Sequence, residues 1–403
     1  MTAAPDPLVL GSQTDSDRDR YRFHTADGVP DADAFCPGEL LALEHLWDSD
    51  LGRLRTVDAR YGVVGIVLAE RASAVELTTP SARAAALCER NRAWNDVDAT
   101  VSTATGLGSV DRTASERPRT DYSGPVERSR ADSRTVGAVD TAVFVPKGYD
   151  PIELGNRRVR TALRSLAPDG DLFVAATPET GLSRFESTLN DAADTVRTVG
   201  TNDGWALLRA SGPKRDRSPS DPPFDWLRER VDGVDLSLVT APGLFAPTAV
   251  DDGTRLLAAT ADVADGDRVL DLCCGYGTLG AHAGSTADCE LWCSDDDRLA
   301  TVCARRSLDA SGVDGRVVTA DCTDGVDDRT FDTVLCNPPT HAGDGVLADI
   351  FRGVAGVLAP DGRFWFVHHR ALDLSRHVDR FDRIRSVATG PEHVVQSATA
   401  EMR

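Results

Sequence analysis

Residues 337–341, Asn337-Pro338-Pro339-Thr340-His341, have the residue types in this 403-residue chain that fit most narrowly to one kind of chemistry. Two consecutive prolines fix the backbone and push Asn337 out of helical geometry, so its amide oxygen and the Pro338 carbonyl converge on one point at a strand end. Two acceptors facing one exocyclic amine orient its nitrogen toward an electrophile, which is catalysis by positioning rather than by acid–base strength. Three motifs precede this one. The run DLCCGYGTLG, from Asp271 to Gly280, carries Gly275 and Gly277 where a β-rich stretch turns into a helical one. Glycines there turn the chain tightly and admit a ligand close to the backbone, although the same pattern also serves purely structural turns. Asp295 ends the next β-rich stretch about twenty residues on, where a carboxylate accepts from two ribose hydroxyls. Asp321 ends the one after, placed to accept from an adenine exocyclic amine.

The elements that must position these groups are short β-rich runs, RVLDLCC, CELWCSD, GRVVTAD, FDTVLCN and GRFWFVHH, separated by helical spacing such as DRLATVCARRSLDASG. Alternating strands and helices predict a mostly parallel sheet with helices on both faces, and continuously apolar strands suit burial on both sides. The pattern occurs twice. VDTAVFVPK at 139–147 parallels FDTVLCNPP at 331–339, and LAPDG at 166–170 recurs at 358–362, both 192 residues apart. TVDARYGVVGIVLA at 56–69 parallels VLDLCCGYGTLGAHAG at 269–284 at a shift of about 213. The expected fold class is α/β, two tandem Rossmann-like units. The boundaries expected are a polar, largely unstructured or extended segment at 1–35, a first unit at 36–210 with a surface insertion at 102–136, a Pro- and Ser-rich linker at 211–222, and a second unit at 223–403.

These motifs resemble the class I S-adenosylmethionine-dependent methyltransferases, and more narrowly the ribosomal small-subunit RNA guanine-N2 methyltransferase family. Members of that family join a degenerate N-terminal copy to an active C-terminal one. The resemblance covers most of residues 40–403. It rests on GLFAPTAVDDGTRLL at 243–257, DLCCGYGTLG, Asp295, Asp321, NPPTH at 337–341 and LAPDGRFWFV at 358–367. It implies S-adenosyl-L-methionine as cofactor, with Asp271, Cys273, Gly275, Tyr276, Gly277, Asp295, Asp321 and Asn337 at its site. It implies Asn337, Pro338, Pro339, Thr340 and His341 as the catalytic stretch, with Asn337 holding the target amine. Ribosomal RNA or the small ribosomal subunit is the implied partner. Cys273 stands where the family usually has glycine. Thr340 replaces an aromatic that stacks on the flipped base, so stacking falls to another group such as His341. The same Asn-Pro-Pro device serves protein glutamine N-methylation, and a non-catalytic ribosome-assembly factor with a vestigial cofactor site is the reading from a different class.

The first copy reads as having lost the chemistry. Its glycine loop is DARYGVVG, two residues shorter than its counterpart, and Val145-Pro146-Lys147 stands at the Asn-Pro-Pro position. Asp58 and Glu76 are expected as polar strand ends, and Lys147, which the family pattern shares, as part of a unit for substrate docking or for supporting the catalytic half. All cofactor motifs lie in residues 223–403, so that half is expected to bind cofactor without residues 1–210. Arg157, Arg158, Arg160 and Arg164, and Arg376, Arg380, Arg383 and Arg385, form two clusters suited to phosphate or to a solvated face. His368 and His369 end a strand at the catalytic edge.

Composition bounds the setting. Acids outnumber bases 64 to 44, for a net charge of −20, with 50 Asp against 14 Glu and only two lysines, Lys147 and Lys214. An Asp-rich, Lys-poor surface fits concentrated salt, where the Debye length falls to about 3 Å at 1 M and acidity ceases to argue against an RNA substrate. A halophilic source follows as the expectation. The nine cysteines form no C-x-x-C pair and read as reduced core residues, with no metal site. No apolar run is long enough to span a membrane and no secretory signal stands out, so a cytoplasmic location is expected.

Overall fold

In the computed structural model, residues 6–12, 16, 18–108, 138–214 and 224–400 are described. A hairpin of β1 (Leu8–Gly11) and β2 (Arg20–Phe23) and helix α1 (Pro37–Leu46) lead into the first unit. That unit runs β3 (Arg53–Val57), α2 (Val63–Val67), β4 (Ala74–Thr79), α3 (Ala82–Trp94), β5 (Thr100–Thr103), β6 (Val139–Phe144), α4 (Ile152–Ser165), β7 (Leu166–Ala176), α5 (Leu182–Ala192), β8 (Ala193–Asn202) and β9 (Trp205–Pro213). A second hairpin, β10 (Asp225–Val231) with β11 (Val234–Thr240), and helix α6 (Asp252–Ala258) precede the second unit. It runs β12 (Arg268–Leu272), α7 (Thr278–Thr286), β13 (Glu290–Asp295), α8 (Arg298–Ser311), β14 (Arg316–Thr319), β15 (Phe331–Cys336), α9 (Asp344–Val357), β16 (Leu358–His369), α10 (Ser375–Val378), β17 (Phe381–Thr389) and β18 (His393–Ala400).

Both seven-stranded sheets share one topology, β5-β4-β3-β6-β7-β9-β8 and β14-β13-β12-β15-β16-β18-β17. In each, the first four pairings are parallel and the last two antiparallel. This is the expected pair of Rossmann-like units. Apolar clusters cover both faces of each sheet, which is why β3 and β12 are buried at four of five positions. Strand order reverses between β12 and β15, and a crevice opens there beyond the carboxyl ends of the strands.

The first thirty-five residues do more than trail. Tyr21, Phe23 and Val29 are buried in the core of the first unit, so the polar composition conceals three apolar anchors. Strand β9 extends through Pro213 and takes the first three residues of the segment expected as a linker; residues 215–222 lie outside the described residues. Of the expected insertion at 102–136, residues 109–136 also lie outside them.

Strand register corrects the alignment of the two glycine loops. Arg53 and Arg268 start equivalent strands, and each donates its backbone N–H to an aspartate in the first residues of the fourth strand, Asp140 at 2.8 Å and Asp332 at 2.9 Å. The offset is therefore 215 residues, and Asp58, Arg60 and Gly62 match Cys273, Gly275 and Gly277. All six have left-handed backbone, φ +57°, +53° and +97° in the first unit and +58°, +54° and +84° in the second. The loops have equal length. Asp58 thus corresponds to Cys273, not to Asp271. Glu76 lies mid-strand, paired with Arg55 at 2.8 Å, and Thr79 occupies the strand end equivalent to Asp295.

The loops that follow the second strands are one of the places where the units meet. The Ala82 N–H donates to the Asp296 carbonyl at 2.9 Å, and the Arg298 N–H donates to the Pro80 carbonyl at 2.8 Å. Between these bonds Ser81 bridges Asp297. Ser81 and Asp297 are the equivalent N-caps of α3 and α8, accepting from Ala84 at 3.0 Å and Leu299 at 2.6 Å. The contact is reciprocal, as a two-fold relation between copies requires.

Candidate active site

A cavity of about 510 Å³ fills the crevice of the second sheet. After β12, alternate left-handed residues curl the chain so that the Gly275 N–H donates to Asp295 Oδ2 at 2.8 Å. Asp295 Oδ1 accepts from the Asp297 N–H at 2.9 Å. Burial pushes the Asp295 carboxyl up to about 7. A Cβ on Gly275 would meet nothing within 4 Å, so the missing side chain leaves open space in the cavity wall. The Tyr276 hydroxyl donates to the Ala246 carbonyl at 3.1 Å and ties the 243–250 loop to the glycine loop. Phe245 of that loop is 60% exposed and lines the cavity.

On the other side of the crevice, β15 delivers Asn337. Its Nδ2 donates to Asp251 Oδ2 at 3.2 Å and Thr254 Oγ1 at 3.0 Å. A carboxylate only accepts, so this contact fixes which end of the amide is which. The same Asp251 Oδ2 caps α6 through the Thr254 N–H at 3.0 Å. A helix start thereby doubles as the clamp on the Asn337 side chain.

Asn337, Pro338, Pro339, Thr340 and His341 all line the cavity, as do Cys273, Gly275, Tyr276, Asp295 and Asp321. Two of the expected residues do not. Asp271 is fully buried beneath the loop, accepts from the Gly280 N–H at 2.8 Å, and has its carboxyl pushed up to about 7 by burial. Gly277 faces α8, where a Cβ would come within 3.1 Å of Ala304, so it allows close helix packing. His368, His369 and His393 lie on the cavity wall, and burial lowers the His368 pKa. Sequence reasoning missed Asp251, Thr254 and Phe245 as individuals, although all three sit in the 243–257 stretch it quoted. It also missed Gly28 and Arg83, which the first unit contributes to the wall. The cavity is therefore not the work of residues 223–403 alone.

The methyltransferase small domain family matches residues 235–397. Ribosomal RNA small subunit methyltransferase C of Pseudomonas aeruginosa (strain UCBPP-PA14) is 29% identical over 300 residues, covering 71% of this chain and 86% of that protein. The enzyme of the same description from Actinobacillus pleuropneumoniae is 35% identical over 147 residues, 35% of this chain and 43% of its own. Among solved structures, the T. Thermophilus 16S rRNA N2 G1207 methyltransferase in complex with AdoMet and guanosine superimposes with a TM-score of 0.76, at 19% identity and 98% coverage of both chains. Together these matches support a class I S-adenosylmethionine-dependent methyltransferase of the small-subunit methyltransferase C type. The cavity suits that cofactor in size, in the open cradle at Gly275 and in the carboxylate at the end of β13.

The first unit of this methyltransferase has filled its own crevice. Arg60, held left-handed where the second unit has Gly275, is buried, pairs with Asp31, and donates to the Val145 and Pro146 carbonyls at 3.4 Å. Those carbonyls stand where Asn337 and Pro338 stand in the other copy. Lys147 and Arg158 grip Asp58 at 3.0 and 3.1 Å, and Arg158 also holds Asp150 at 2.6 Å. Burial opposes ionisation of Asp58, yet the two cations hold its carboxyl below the usual range. The Lys147 side chain, 10% exposed, is thus engaged by Asp58 within the first unit.

The remaining arginines of the clusters are mixed. Arg157 pairs with Glu153, Arg376 with Asp344 and Arg383 with Asp382. All nine cysteines are free. Among the described residues no group of His, Cys, Asp and Glu converges as metal ligands, and no helix is long and apolar enough to cross a membrane.

Proposed function

We propose that the protein methylates the exocyclic N2 amine of a guanine in small-subunit ribosomal RNA, in the cytoplasm of a cell whose interior is rich in salt. The observation that carries the reading is the clamp on Asn337. With Nδ2 tied to Asp251 and Thr254, Oδ1 is the amide atom presented to a ligand amine, beside the Pro338 carbonyl. S-adenosylmethionine, when bound, supplies an electrophilic methyl group. Asp295 and the Gly275 cradle would hold its ribose and methionine portions, and Asp321 its adenine.

The guanine amine shares its lone pair with the ring and is a weak nucleophile. Two fixed acceptors on its hydrogens align the lone pair with the methyl group and stabilise the positive charge that grows on nitrogen. The proton leaves after transfer, so a strong base is not required. The stacking face that Thr340 lacks falls to Phe245, a ring exposed at the same cavity and held by the Tyr276 tether. The relatives' names support RNA over a protein amide, as does a two-unit architecture shared along 98% of the T. Thermophilus enzyme. Mass spectrometry of small-subunit rRNA nucleosides from cells with and without the gene tests the reading. Loss of one N2-methylguanosine supports it, and an unchanged nucleoside profile overturns it.

A further inference from the structure

One side chain of the first unit crosses into the cavity of the second. Arg83 lies in the first turn of α3, with its side chain 9% exposed. Its Nε and Nη2 donate to Asp321 Oδ1 at 3.0 and 2.9 Å. Nη2 also reaches Asp349 Oδ2 at 3.1 Å, and Nη1 the Asp27 carbonyl at 3.3 Å. The backbone N–H of Arg83 donates to Asp296 Oδ1 at 2.7 Å, beside the main-chain bonds that join the units. The guanidinium is therefore fixed at both ends.

A planar fork closing on a single carboxylate oxygen sets the rotation of that carboxylate. Oδ1 is engaged, and Oδ2 is left outside the pairing. Asp321 and Arg83 both line the cavity. Asp296 lies along the same wall and repels Asp321, so a loose carboxylate at 321 would swing away from it. We propose that Arg83 is a positioning residue of the cofactor site, through which the degenerate unit sets how the catalytic unit recognises the adenine 6-amino group. This rests on the assignment of Asp321 to adenine made above. Its consequence is that nucleobase selectivity in one unit is set by a residue of the other.

The test compares two ligands that differ at that amine, S-adenosylhomocysteine and S-inosylhomocysteine, by calorimetry on the full chain in concentrated salt. Wild-type protein is expected to prefer the adenine form, because hypoxanthine offers an oxygen to the carboxylate instead of a donor. In Arg83→Gln the preference should shrink by about 10-fold or more, through weaker adenosyl binding with the inosyl affinity nearly unchanged. Arg83→Lys keeps a cation without the fork and should fall between. Asp321→Asn should lose the same preference, and adding Arg83→Gln to it should cost nothing further. Equal weakening of both ligands in Arg83→Gln or Arg83→Lys, with thermal unfolding confirming a folded chain, would make Arg83 an interface strut and overturn the proposal. Asp321→Asn with wild-type preference would instead overturn the assignment of Asp321, and the proposal with it.

Discussion

Asp251→Ser separates the two tasks that one carboxylate oxygen performs. Asp251 Oδ2 caps α6 and accepts from Asn337 Nδ2 at 3.2 Å. Serine ranks with aspartate as a cap, so helix α6 should hold, but its shorter side chain does not reach Asn337. A hydrogen bond to a charged group contributes about 1.5–3 kcal/mol. The 3.2 Å contact is long and Thr254 Oγ1 remains at 3.0 Å, which argues for the lower end. That corresponds to about a tenfold fall in single-turnover methylation. Removing the second anchor as well, in Asp251→Ser/Thr254→Val, frees the amide to rotate. The loss should then approach the roughly 10²-fold expected of Asn337→Ala, a misplaced reacting group. The assay is single-turnover transfer of labelled methyl to small-subunit RNA, with calorimetry of S-adenosylhomocysteine in parallel. Affinity for that ligand should change little. A folded Asp251→Ser/Thr254→Val protein with wild-type single-turnover rate would refute the clamp.

Lys147→Met should lower the stability of the first unit by about 3–5 kcal/mol, because Asp58 stays buried beside a lost charge. Lys147→Met/Asp58→Asn should recover most of it, and RNA affinity measured on folded protein should not move. Phe245→Ala should raise KM for RNA about 5- to 150-fold, the contribution of one stacked base, while Phe245→Trp keeps it and neither changes cofactor affinity. Asp295 gives a pH signature. Its carboxyl is raised to about 7, so the stability contributed by the protonated form is full below the unfolded value and is lost as pH rises through about 7. On the proposed ribose contact the ionised form is the acceptor, so S-adenosylhomocysteine should raise Tm more at pH 8 than at pH 5. That difference should vanish in Asp295→Asn, and its persistence there would assign the titration elsewhere.

The two-unit fold was legible because repeats announce themselves through spacing, and 192 residues separate both β6 from β15 and β7 from β16. The cavity-lining stretch Asn337–His341 was legible because Asn-Pro-Pro constrains its own backbone. Alignment of the glycine loops was misjudged for a physical reason. Left-handed backbone is usually signalled by glycine, but here Asp58 and Arg60 adopt it, held by ion pairs that only the folded chain supplies. Arg83 was invisible for a related reason. Its partner lies 238 residues away in the other unit, and nothing in the local pattern of α3 marks it. That Asp271 lies beneath the loop and not on the cavity wall was not legible, because a carboxylate at a strand end looks alike whether it faces a ligand or receives a helix N–H.

The joint between the units includes two main-chain bonds, Ala82 to Asp296 and Arg298 to Pro80. Bonds of that kind are indifferent to the side chains that flank them. A duplicated chain joined in this way can let one copy drift until its ligand groups are gone, and the surviving copy still finds its cofactor loop braced as before. Catalysis and bracing then answer to different residues. Where a side chain crosses over, drift in the first unit is limited by the other copy as well, and substitutions tolerated elsewhere on the exposed face of α3 should be rejected at the position that reaches Asp321.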